Sequence, residues 1–149
     1  MQKPEKALEP GPMLEAGKVV KPIPAYLADN RKEYELIFMK NEVAEIFQAI
    51  PYIENIARQI TTCTFSQSEA ERCDCDGQAN VEMRRIAICE TIITKQDRNY
   101  WKMVYLHELA HILTNSGHTA AFHKLLDAMI KLYNEEMGED LKNDYQGMG

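Results

Sequence analysis

Basic residues are in short supply in this chain. Its 149 residues include 17 Lys and Arg against 23 Asp and Glu, a formal charge of −6 at pH 7. No run of Lys and Arg exceeds a pair such as Arg31-Lys32 or Arg84-Arg85. Nucleic-acid binding calls for a basic face, so nucleic acid is not an expected partner. Long hydrophobic runs are missing too. No stretch approaches the ~18 apolar residues that span a bilayer, and no membrane association is expected. Met1-Gln2-Lys3-Pro4-Glu5 lacks the apolar core of a secretory signal, which makes a cytoplasmic location the expectation. Proline all but vanishes after position 24: five of the six lie within the first 24 residues, together with Gly11 and Gly17. Residues 1–28 therefore read as an extended leader without a core of its own. Residues 29–137 are long enough to bury one core as a single domain. Residues 138–149 read as an acidic, solvated tail. Repeats and low-complexity tracts are absent.

Cysteine stops at Cys89, after Cys63, Cys73 and Cys75. One residue separates Cys73 from Cys75, whereas zinc-binding pairs favour two to four, which weakens a second metal site there. A disulfide from Cys63 to Cys73 or Cys75 would need an oxidising compartment. The simplest expectation is four reduced cysteines in a loop and a strand.

Between these absences the pattern is that of an α+β chain. Tyr34, Leu36, Ile37, Met39, Val43, Ile46, Phe47 and Ile50 recur at helical spacing, and Pro51 stops the run. Residues 52–56 add at most a short turn of helix. Ile60 to Phe65 is β-branched and aromatic and reads as a strand. Ser66 to Asn80 reads as a polar loop, with Asp76-Gly77 its clearest turn. Arg85 to Ile93 reads as a second strand, with a short candidate around Asn80 to Met83. Asp97 is the favoured cap of the next helix. After Asn115-Ser116-Gly117, where Gly suits the left-handed residue that ends a helix, Thr119 opens a closing helix. Phe122, Leu125, Leu126, Met129, Ile130 and Tyr133 stand at core spacing along it. The expected architecture is a small antiparallel sheet packed on a buried helix and a closing helix.

Histidine is scarce and concentrated: all four lie between positions 107 and 123. His107-Glu108-Leu109-Ala110-His111 sits in a helix that is apolar nearly all round, from Tyr100 to Leu113, and such a helix is buried. Side chains at i and i+4 share a face, so His107 and His111 can point at one ion while Glu108 projects beside it. A Lewis acid with an adjacent carboxylate is what activating a water requires. Catalytic zinc takes three protein ligands. His118, brought back by the turn, leads for the third place. Glu135, Glu136 and His123 remain alternatives, with Asp127 one turn beyond His123 to orient it. The longer pattern H-E-x-x-H-x-x-G-x-x-H does not apply, because Thr114 and Gly117 stand where it needs Gly and His.

His107-Glu108-Leu109-Ala110-His111 followed by Gly117-His118 and Phe122 resembles the signature of the SprT-like and WLM metallopeptidases, small zincin-like domains. The resemblance is strong over about 30 residues, Tyr100 to Met129. It implies that His107, His111 and His118 are Zn2+ ligands, that Glu108 is the general base, and that Phe122 seats the third ligand. Through the zincin-like fold it also implies an edge strand beside the cleft, for which Arg85 to Glu90 is the candidate. Two departures stand out. The Ile112 to Gly117 stretch differs by about a residue from the WLM spacing and is shorter than in many SprT-like members. There is also no C-terminal cysteine ribbon, which separates this chain from a DNA-linked repair role. The expected function is a zinc metallopeptidase acting on protein or peptide substrates. The alternatives are a WLM-like zinc hydrolase of a non-peptide bond and a non-catalytic, metal-stabilised binding module.

Overall fold

The computed structural model describes residues 31–94, 98–145 and 147–149. The leader and the Asp97 cap therefore lie outside the described residues. Among those described, six helices and a three-stranded sheet make a mixed α+β fold.

Helix α1 (Arg31–Ile46) buries Leu36, Met39, Val43 and Ala44, and Phe47 continues that stripe beyond its end. Ile37 and Ile50, which share the helical spacing, are exposed. Pro51 opens a helix rather than merely closing one: it stands at the N-terminus of α2 (Pro51–Gln59). Its fixed φ suits a first turn, and its missing N–H would have had no intrahelical partner there. Strand β1 is Thr61–Phe65.

The segment expected to be a polar loop is structured. Helix α3 (Gln67–Cys73) starts where the Ser66 hydroxyl accepts the Glu69 N–H at 3.2 Å, and it ends on Asp74 in the left-handed region, φ 52°. Ser66-Gln67-Ser68-Glu69 is a capping-box sequence. The short strand is β2 (Gly77–Asn80), so the residues after Asn80 form a turn rather than a strand. Strand β3 (Arg85–Cys89) is followed by helix α4 (Glu90–Thr94) rather than by more strand.

The sheet is mixed, not antiparallel. Its order is β1-β3-β2, with β1 parallel to β3 (Cys63 opposite Ala87) and β2 antiparallel to it (Gly77 opposite Ile88). β3 is thus the central strand, hydrogen-bonded on both sides, and cannot be the edge strand beside a cleft. That place falls to β2. Inserting α3 and β2 between β1 and β3 gives the chain the crossover that parallel strands need.

Helix α5 (Arg98–Thr114) is the centre of the molecule. Every residue from Trp101 to Leu113 is buried, because the sheet covers one side and α6 (Ala120–Met137) another. Lys102 is tolerated inside through Glu42 at 3.9 Å and the Tyr133 ring. Helix α6 buries Phe122, Leu126, Met129, Ile130 and Tyr133. Its Thr119 hydroxyl accepts the Phe122 N–H, and Gly138 (φ 65°) closes it in the left-handed region that glycine adopts without strain.

The tail is not a solvated end. Asn134 clamps Leu141 through both backbone groups, at 2.8 and 3.1 Å. Leu141 and Tyr145 are buried. Cys73 and Cys75 are joined as a disulfide, while Cys63 and Cys89 are free. The expectation of reduced thiols therefore holds for the two strand cysteines and not for the turn. No helix among the described residues is long and apolar enough to cross a membrane.

Candidate metal centre

Helix α5 presents His107, Glu108 and His111 toward the cleft from within its buried stretch. Asn115, not Gly117, is the left-handed residue that ends the helix (φ 52°). The Ser116 carbonyl then accepts the His111 Nδ1–H at 2.8 Å. This bond fixes the tautomer and leaves Nε2 with its lone pair available. The turn continues with Thr119 N–H donating to Gly117 O at 2.8 Å, which lays His118 over the two helical imidazoles. His107 Nε2 and His118 Nε2 are 3.2 Å apart. One nitrogen from each of the three histidines lies within 4.8 Å of the other two, close enough for a single metal ion.

Phe122 holds this arrangement. Its ring stacks on His111 at 4.2 Å between centroids and meets His107 and His118 edge-on at 4.9 and 5.2 Å. His123, the alternative ligand, is exposed; it stacks on the outer side of His118 at 6.2 Å and meets the Phe122 ring edge-on at 5.1 Å, outside the cluster. Asp127 accepts from Asn143. Glu135 and Glu136 are exposed on the last turns of α6 and are not in the cluster.

Electrostatics favours ligation. Burial, aided by the neighbouring imidazoles, pushes His107 down to about 4. Burial lowers His111 as well. Both rings are therefore neutral at pH 7, the form that binds metal. Glu108 is fully buried, and neither carboxylate oxygen has a hydrogen-bond partner among the described residues. Burial raises its pKa to about 8. An orphaned buried carboxyl costs several kcal/mol or more when charged, so folding alone does not account for it. A cation and its water would satisfy it.

The cleft encloses about 480 Å³, bounded by Glu108, His111, Cys73, Cys75, Gln78 and Gly149. The Gln78 amide donates to both sulphurs, at 3.5 and 3.4 Å. Gly77 is where the sheet meets the helix: a Cβ there would stand 2.9 Å from Glu108 Oε2 and 2.6 Å from Val104 Cγ1. The Tyr145 hydroxyl accepts the N–H groups of Asp76 and Gly77, at 2.9 and 3.4 Å, and its ring lies 4.7 Å from that of His107. Gly77, Gln78, Tyr145 and Gly149 carried no metal-site pattern in the sequence. They reach the cleft through the sheet edge and the tail. No family model, curated protein or solved structure matches the chain.

Proposed function

We propose that this protein is a zinc-dependent peptidase of zincin-like type, in which His107, His111 and His118 hold the ion and Glu108 is the general base. The observation that carries this reading is the convergence of three imidazoles beside a buried carboxyl that no described protein group satisfies. Two nitrogens each about 2.0–2.1 Å from a tetrahedral zinc stand about 3.3–3.4 Å apart, close to the 3.2 Å between His107 and His118. The resemblance to SprT-like and WLM metallopeptidases points to the same ligand set.

When bound, zinc supplies a Lewis acid that acidifies water and polarises a carbonyl. The protein's own groups do the rest. His111 is held in the ligating tautomer by the Ser116 carbonyl. Glu108 takes the proton of the attacking water and passes it to the leaving amine. Burial raises the proton affinity of this carboxyl in the metal-free site, and a cation held by the histidines would lower it again, leaving Glu108 ionised to accept the proton. β2, an outer strand beside the cleft, offers backbone groups to an extended substrate, which favours a peptide.

The test is metal content together with peptide hydrolysis. About one zinc per chain is expected, lost on His118→Ala and kept on His123→Ala. Glu108→Gln should keep its metal while hydrolysis falls by roughly 10²–10⁴. A folded protein that takes up no zinc, or full activity in Glu108→Gln, refutes the proposal.

A further inference from the structure

The chain's own tail enters the candidate active site by a route that side-chain burial, hydrogen bonding and close backbone approach all mark. Leu141 is pinned by Asn134, and Tyr145 is buried with its hydroxyl accepting the amides of Asp76 and Gly77 where β2 begins. Met148 N–H then donates to the Asp74 carbonyl at 2.7 Å. The Gly149 carbonyl oxygen ends 3.1 Å from His107 Nε2 and 3.0 Å from His118 Nε2. A main-chain oxygen in that position stands where an oxygen ligand of an ion held by the histidines would sit.

The backbone path admits only small residues. A Cβ on Gly149 would collide with the Gly77 carbonyl oxygen and stand 3.1 Å from Cys75 Cβ. The Gly77 oxygen belongs to the sheet and cannot swing aside as a side-chain end would. Asp74, Cys75 and Gly77 thus form a rim that accepts one amide N–H and crowds the residue whose carbonyl faces the histidines.

We propose that this rim and the histidine cluster form a groove for a peptide segment with glycine at the residue facing the histidines. Tyr145, Gly147, Met148 and Gly149 are its resident occupant and compete with any other peptide. The proposal rests on the peptidase reading for its ion but not for its groove. The substrate class that follows is a flexible, glycine-bearing segment, and the free site is the open fraction of the protein.

The experiment compares the full chain with Gly149→Val, which expels the tail by its bulk, and Met148→Pro, which removes the N–H that Asp74 accepts. Amide hydrogen exchange reports docking, and Co2+-loaded protein titrated with acetohydroxamate reports access to the ion. In the wild type the Met148 amide should be protected, and in Gly149→Val it should exchange freely. Both variants should bind acetohydroxamate about tenfold more tightly than the wild type, as expected for a tail docked about nine-tenths of the time. A synthetic peptide of residues 143–149, capped as an amide, should displace acetohydroxamate from Gly149→Val protein. The same peptide ending in valine should not. Free exchange of Met148 in the wild type, or equal acetohydroxamate affinity in all three proteins, overturns the resident tail. Equal binding of the two peptides overturns the selection of glycine. If no protein takes up metal, the peptidase reading falls, while exchange at Met148 still decides whether the groove is occupied.

Discussion

Glu108 should destabilise the metal-free fold, and the size of the effect follows from its burial. The side chain is fully buried with both oxygens unpartnered among the described residues. Its carboxyl is raised from 4.5 to about 8 by loss of solvent. The folded form therefore holds the proton more tightly than the unfolded chain, and the fold loses stability as pH rises from about 4.5 to about 8. Each pH unit in that window costs about 1.4 kcal/mol. At pH 7 the penalty on the metal-free protein is thus about 3 kcal/mol, a large share of the ~5–15 kcal/mol typical of a domain. Glu108→Gln keeps the shape and removes the titration. Urea unfolding of both proteins, stripped of metal with a chelator, should give nearly equal stabilities at pH 4. The curves should then diverge, with the Gln variant about 3 kcal/mol more stable at pH 7. Stability curves that run parallel from pH 4 to pH 8 would show that Glu108 ionises at no cost in the folded protein. The argument from its burial would then be wrong.

Gly77→Ala places a Cβ against Glu108 and Val104. Overpacking of this kind costs about 1–3 kcal/mol, and the displaced carboxyl should lower hydrolysis more than it lowers metal content. A variant with unchanged stability and activity would mean that β2 does not approach α5 so closely. Phe122→Ala removes a fully buried ring that also stacks on His111. It should cost about 3–5 kcal/mol in chemical denaturation and weaken zinc binding measured by chelator competition. An unchanged zinc affinity in the folded variant would remove Phe122 from the seating of the ligands.

The sequence by itself determined the elements whose pattern is local. The two helical histidines and Glu108 follow from a 3.6-residue repeat, and the burial of α5 follows from apolar residues on all its faces. The core stripe of α6 follows from the spacing of Phe122, Leu126, Met129 and Tyr133. The turn from Asn115 to Gly117 was legible as a stop, although Asn rather than Gly takes the left-handed place. The Ser66 capping box was equally local and shows that a polar run can hold a short helix.

Only the tertiary structure decided the rest, because those features depend on pairings between distant residues. Period-two alternation does not say which strand is central, so β3 in the middle and β2 at the cleft had to come from pairing. A glycine beside an aspartate reads as a turn, and nothing local reveals that Gly77 is small because Glu108 lies against it. An acidic tail with isolated apolar residues reads as solvated until Asn134, Leu141 and Tyr145 are seen to tie it down. In this protein the three histidines close enough to hold one metal ion are a property of one helix and its turn. The shape of the cleft around them is a property of the whole fold, because its walls come from a sheet edge and a tail far apart in the chain.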